Sequence, residues 1–152
     1  MIFASETDKI WKIGYVSGTF DMFHIGHLNL IRNAKGRCKH LIVGVLDDDV
    51  SYIGKQRFPV HPLKDRMAII KALKYVDEVD ITSLELCDKV KAWEKYQFDA
   101  MFSGDDHAND GWAREDKALK SLGADIVFFT YTQGVSTTEL RMMLNLPLET
   151  PI

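Results

Sequence analysis

The sequence predicts an α/β fold with a parallel sheet, and three observations carry that prediction. Short apolar, β-branched or aromatic runs recur along the chain, as at Leu41-Ile42-Val43-Gly44-Val45 and Asp125-Ile126-Val127-Phe128-Phe129. Amphipathic helical stretches fill the intervals between them, which is the alternation that buries a parallel sheet on both faces. A glycine-containing turn, Gly18-Thr19-Phe20-Asp21, joins the first apolar run to the first helical one.

Taken in order, strands are expected at 12–17, 40–46, 78–82, 98–103 and 125–129, and helices at 24–36, 62–74, 86–96, 111–122 and 137–144. Pro62 suits the first turn of the second helix, whose Leu63, Met67 and Ile70 form a stripe. Residues 1–11 read as an extension ahead of the first strand, 12–144 as one domain, and 145–152, with Pro147 and Pro151, as a tail. At 152 residues, such a domain buries roughly two thirds of its unfolded surface.

Composition excludes some function classes. A net charge of −3 leaves no broad basic footprint for nucleic acid. No apolar run approaches the ~20 residues that span a bilayer, so no membrane insertion is expected. The N-terminus carries Glu6 and Asp8 and has no apolar core of a signal peptide. Cys38 and Cys87 are isolated, fit a reducing compartment and read as apolar filler. A cytoplasmic enzyme is expected.

The densest chemistry lies at Gly18-Thr19-Phe20-Asp21-Met22-Phe23-His24-Ile25-Gly26-His27. His24 and His27, three apart, project from one side of a helix's first turn, and Leu28 and Ile31 continue that stripe toward the sheet. The bare N–H groups and positive dipole of a helix start favour phosphate, and two imidazoles there can donate hydrogen bonds to phosphoryl oxygens. The plainer alternative is a satisfied core histidine. A zinc site from Asp21, His24 and His27 lacks further ligands, because no Cys-x-x-Cys or second His pair completes it; no metal site is assigned. Asp21 is open to three roles: orienting a histidine, lying near Mg²⁺, or capping the following helix. Ser136-Thr137-Thr138-Glu139 has capping-box spacing, and behind Gly134 its hydroxyls also suit a second phosphate cradle.

These residues resemble a known family. Gly18-Thr19-Phe20-Asp21 with His24-x-Gly26-His27, Lys74-Tyr75-Val76-Asp77-Glu78-Val79, Ser103-Gly104-Asp105-Asp106 and Gly134-Val135-Ser136-Thr137-Thr138 occur in the order found in HxGH nucleotidyltransferases, and most resemble cytidylyltransferases of the glycerol-3-phosphate type. The resemblance runs from about Lys12 to Leu144. It implies a Rossmann-like, doubly wound, five-stranded sheet of order 3-2-1-4-5, in which the first and fourth strands meet at the switch point where such folds bind ligands.

The implied activity is transfer of CMP from CTP to a small phosphorylated alcohol, glycerol 3-phosphate first, with release of pyrophosphate and with Mg²⁺ arriving on the nucleotide. An ATP-dependent adenylyltransferase, or a non-catalytic nucleotide-binding module, is the alternative. The resemblance gives His24, His27, Lys55 and Arg66 catalytic roles. It gives nucleotide contacts to Gly18, Thr19, Phe20, Asp21, Gly26, Asp105, Asp106, Gly134, Ser136, Thr137 and Thr138; Asp105 or Asp106 is expected either to accept from the cytosine amino group or to support the site. It also implies a homodimer through the segment from Leu73 to Val79. The chain departs from the family where Tyr131 stands for an arginine, Gln133 for a glutamate, His107 for a tryptophan and Lys74 for an arginine. Arg114 and Arg141 are candidates to supply the charge that Tyr131 lacks.

Overall fold

The computed structural model describes residues 1–108, 111–130 and 132–149. Its strands are β1 (Ile2–Phe3), β2 (Trp11–Gly18), β3 (Cys38–Leu46), β4 (Glu78–Thr82), β5 (Ala100–Gly104) and β6 (Asp125–Phe129). Its α-helices are α1 (Ile25–Lys35), α2 (Asp48–Lys55), α3 (Leu63–Lys71), α4 (Lys89–Tyr96), α5 (Ala113–Ser121) and α6 (Thr137–Met143). The strands form one sheet in the order β1-β6-β5-β2-β3-β4, and every pairing is parallel.

This corrects the expectation of a five-stranded sheet. The sixth strand comes from the N-terminal segment that was expected to precede the sheet: Ile2 and Phe3 pair with Val127 and Phe128. Two residues are too few to show an alternating pattern, so the sequence carried no periodic signal for β1. The adjacency that mattered for the site is present, because β2 pairs with β3 on one side and with β5 on the other.

Successive strand residues enter opposite layers, as the pleat requires. Val16, Leu41, Val43, Phe102 and Val127 join Ile31 and Ala34 of α1 and Ile70 of α3. Tyr15, Ile42, Met101, Ile126 and Phe128 join Ala92 of α4 and Leu119 of α5. A sheet buried on both faces needs apolar residues of both parities, which is why its strands read as unbroken apolar runs. Cys38 is buried in the first layer, whereas Cys87 is exposed, so only the former is apolar filler.

The helices differ from expectation at their starts. Pro62 is the cap of α3 rather than its first residue. The expected helix at 86–96 divides into a 3₁₀ turn, Glu85–Cys87, and α4, because the Asp88 carboxylate accepts from the amides of Val90 and Lys91 and restarts the helix. The helix α2 was not expected at all. Asp48, Asp49, Ser51 and Gly54 are weak helix formers, but Asp47 caps the start through the Asp48 amide at 2.7 Å, and Val50 and Ser51 are buried.

Candidate active site

The β2–α1 turn is built on strain rather than on glycine freedom. Phe20 and Met22 hold left-handed backbone conformations, with φ of 53° and 49°, an arrangement that stores about 1 kcal/mol or more per residue. The gain is position. Phe20 is buried, and its ring meets His27 edge-on, with centroids 5.5 Å apart. Phe23 covers His27 from another side at 5.4 Å.

His24 caps α1. Its Nδ1 accepts from the Gly26 amide at 3.0 Å, and the His24 amide donates to Nδ1 of His27 at 3.3 Å. The rings stack with centroids 3.8 Å apart. Because each Nδ1 is an acceptor, each neutral ring carries its proton on Nε2. Burial lowers the His27 pKa to about 3, aided by His24 and Lys55; burial lowers that of His24 as well, against the pull of Glu139. The pair is therefore two neutral Nε2–H donors at physiological pH. Gly26 is required by packing: a Cβ there would stand 2.8 Å from Cε1 and 3.0 Å from Nδ1 of His24.

Both histidines line a cavity of about 410 Å³ at the carboxyl ends of β2, β5 and β6. Gly18, Thr19, Phe20, Asp21 and Gly26 line it from the β2–α1 turn, and Asp106 from the 3₁₀ turn after β5. Ser136, Thr137 and Thr138 line it from the start of α6. Their hydroxyls are already engaged. Ser136 accepts from the Glu139 amide, Thr137 donates to the Asp21 carbonyl at 2.9 Å, and Thr138 accepts from Arg57 at 3.2 Å. The segment thus caps α6 and docks it against the histidine turn. Gly134, with φ of 81°, makes the turn before it. Gly134 and Asp105 are not among the lining residues.

Lys55, the last residue of α2, and Arg57 also line the cavity. Desolvation of the Lys55 ammonium lowers its pKa, Arg57 lowers it further, and Asp106 and Asp21 oppose this. Arg57 is buried; desolvation and then Arg141 lower its pKa, against Asp21. Arg141, raised above as a source of charge, lines the same cavity, whereas Arg114 is exposed on α5 and does not. Three cations thus face Asp21 and Asp106 across a site whose histidines are neutral. The balance favours a polyanion.

Two assignments change. Asp21 neither caps α1 nor orients a histidine: its oxygens accept from the amides of Val60 at 2.7 Å and His61 at 2.9 Å. It pins the loop 56–62 to the histidine turn. Arg66 is 1% exposed and does not line the cavity. Its guanidinium donates to the carbonyls of His61, Thr19 and Leu46 and to the Asp48 carboxylate, so it ties three loops together behind the site. Tyr131 lies outside the described residues.

Sequence reasoning passed over Asn29 and Asn33, which sit one turn apart on α1 and line the cavity with Thr130 and Thr132. The signal was available, because a spacing of four continues one helix face. It also passed over Ser51, which is buried within 3.3 Å of the Thr19 hydroxyl. Among the described residues, no three His, Cys, Asp or Glu side chains converge as a metal cage. Mg²⁺ carried by a nucleotide needs only one or two carboxylates beside the phosphates, and Asp106 in the cavity wall fits that demand.

The sequence pattern of the cytidylyltransferase-like family matches residues 15–143. An ethanolamine-phosphate cytidylyltransferase of Arabidopsis thaliana is 36% identical over 135 residues, covering 86% of this chain and 32% of the relative, so the chain spans about a third of that protein. A glycerol-3-phosphate cytidylyltransferase of Bacillus spizizenii is 32% identical over 124 residues, covering 82% of this chain and 90% of the relative. Enzymes so named are nucleotidyltransferases. A solved lipopolysaccharide core biosynthesis protein from Thermoplasma volcanium shares the fold, with a TM-score of 0.68 at 22% identity over 82% of this chain and 99% of that one. The match contains the paired histidines, Lys55, Arg57 and the start of α6, all of which meet at the cavity, and the chain belongs to the cytidylyltransferase-like family.

Proposed function

We propose that the chain is a CTP-dependent cytidylyltransferase that transfers CMP to the phosphate of a small phosphorylated alcohol. The observation that carries this reading is the pair of neutral Nε2–H donors on His24 and His27, set in a cavity that also holds Lys55 and Arg57. An acceptor phosphate oxygen attacks the α-phosphorus of CTP in line. The new P–O bond forms as the bond to the β-phosphate bridging oxygen breaks, and pyrophosphate carries away the electron pair. The attacking phosphate is already ionised, so the protein need only position the reactants and stabilise charge. The two imidazoles donate to the α-phosphoryl and leaving oxygens, where preorganised donors act most strongly in a desolvated site. Lys55 and Arg57 neutralise the phosphates. Asp106 would hold the Mg²⁺ that accompanies the triphosphate, which would supply further charge neutralisation.

Glycerol 3-phosphate is the first acceptor in this reading, supported by the relative of that name that this chain covers over most of its length. Ethanolamine phosphate is the rival, supported by the Arabidopsis relative. Choline phosphate is disfavoured, because a quaternary ammonium calls for an aromatic cage. The same reading includes a cytoplasmic homodimer. An edge strand, β4, with its exposed Ile81 and the exposed Ile69 and Leu84 outside it, supports the pairing of two copies.

The test is pyrophosphate release with each nucleoside triphosphate and Mg²⁺, using glycerol 3-phosphate, ethanolamine phosphate and choline phosphate in turn. Turnover with CTP and highest kcat/KM for glycerol 3-phosphate is expected. Turnover with ATP alone would move the chain to the adenylyltransferases, and another acceptor ahead by about tenfold, a difference of about 1.4 kcal/mol, would replace glycerol 3-phosphate.

A further inference from the structure

We infer that Arg141 is a positioning residue that holds the loop 56–62, and with it Arg57, in the geometry the cavity needs. Arg141 is 3% exposed. One guanidinium nitrogen donates to the Pro147 carbonyl at 2.7 Å, and the other donates to the Phe58 carbonyl while lying 3.8 Å from the Asp21 carboxylate. Its Nε is buried with no acceptor among the described residues. A buried guanidinium with an unused donor is an expensive feature to retain for packing alone. The groups it does engage belong to three segments: the loop 56–62, the stretch after α6 and the histidine turn.

Those segments share one task. Phe58 follows directly on Arg57, whose guanidinium reaches Thr138 on α6. Asp21, the buried anion nearest Arg141, holds the same loop through the amides of Val60 and His61. The loop is therefore gripped on its carbonyl side by a cation and on its amide side by an anion, and the two grips are paired with each other. Asp21 sits in the histidine turn, so the pair sets the distance between Arg57 and the His24–His27 donors. The segment after α6 enters through Pro147, which makes residues 145–147 a brace for the loop. Removing Arg141 takes from the buried Asp21 carboxylate the cation 3.8 Å away and frees the Phe58 carbonyl, so the loop should open at modest energy while the sheet stays intact.

The kinetic part of this role rests on CTP being the ligand; the loop's order does not. Hydrogen exchange of individual amides in Arg141→Met and Arg141→Lys tests the order. In Arg141→Met the Val60 and His61 amides should exchange at least about tenfold faster, with β3 amides unchanged. Arg141→Lys keeps a charge for Asp21 but cannot span Phe58 and Pro147, so its Val60 and His61 amides should still exchange faster than in the parent. This variant decides the matter if Arg141→Met does not fold. Parent-like exchange at Val60 and His61 in Arg141→Lys would overturn the two-ended brace. CTP affinity by calorimetry closes a cycle with Arg57→Ala. Arg141→Met should weaken CTP by about tenfold in the parent but by less than about threefold once Arg57 is gone. An equal loss in both backgrounds would show that Arg141 does not act through Arg57. Should the parent itself ignore CTP, the cytidylyltransferase reading fails and the exchange result still decides the brace.

Discussion

At the scale of single residues, catalysis is assigned to hydrogen-bond donation by neutral imidazoles. His27→Ala is expected to lower kcat by about a hundredfold while CTP affinity changes little, because a donor that strengthens in the transition state acts on rate rather than on ground-state binding. A loss under about threefold at saturating substrate, against that hundredfold for one preorganised donor, would make His27 structural. Gly26→Ala should do much of the same damage indirectly. Its Cβ would press to 2.8 Å from the His24 ring, turning Nδ1 away from the Gly26 amide, so kcat should fall with a near-parent melting temperature. The depressed His27 pKa has a sign that can be checked. Folding lowers it from 6.5 to about 3, so below pH 6.5 the unfolded chain binds a proton that the folded chain refuses. His27 therefore contributes stability above pH 6.5 that is lost as pH falls toward 3. His27→Gln, which has no imidazole, should lose less stability than the parent over that interval in urea titrations; parallel losses would contradict the burial of a neutral ring.

At the scale of elements, Arg66 shows where sequence reasoning reaches its limit. The helix α3 and the arginine on it were both legible, but the side chain turns inward to the carbonyls of Thr19, Leu46 and His61, and no spacing rule states which way a long side chain on a half-buried helix turns. Arg66→Ala is expected to cost on the order of 3 kcal/mol of stability through orphaned carbonyls and an unpaired Asp48. The folded fraction should bind CTP with near-parent affinity, as calorimetry at low temperature can measure. A severe affinity loss without destabilisation would return Arg66 to the site. The strands from β2 to β6 were legible because both pleat parities are apolar, and α1 because its histidines and Ile31 keep helical spacing. The helix α2 was not, since its formation depends on the Asp47 cap and on burial of Val50 and Ser51 against the rest of the fold. The left-handed residues of the histidine turn were also hidden: sequence points to Gly18, whereas Phe20 and Met22 adopt that conformation under tertiary constraint.

At the scale of the whole molecule, the fold explains why motifs far apart in sequence act together. Parallel crossovers bring the ends of β2, β5 and β6 to one edge of the sheet, and α6 closes over it through Thr137 and Arg57. No helix among the described residues is long and apolar enough to cross a membrane. The expected homodimer is checked by sedimentation at micromolar concentration, where twice the mass of one chain supports pairing at the β4 edge and the mass of a single chain excludes it. The candidate site was legible in His24, His27 and Lys55, which meet at one cavity, and less so in its scaffold, because Asp21, Arg66 and Arg141 are defined by backbone groups that only the folded chain brings near. The central claim is attack at the α-phosphorus of CTP, and ³¹P NMR of a reaction containing CTP, Mg²⁺ and glycerol 3-phosphate tests it most directly. The paired diphosphate signals of a CDP-alcohol together with pyrophosphate are expected, both reduced to a trace with His27→Ala; orthophosphate and CDP in their place, or diphosphate product from ATP but none from CTP, would contradict cytidylyl transfer.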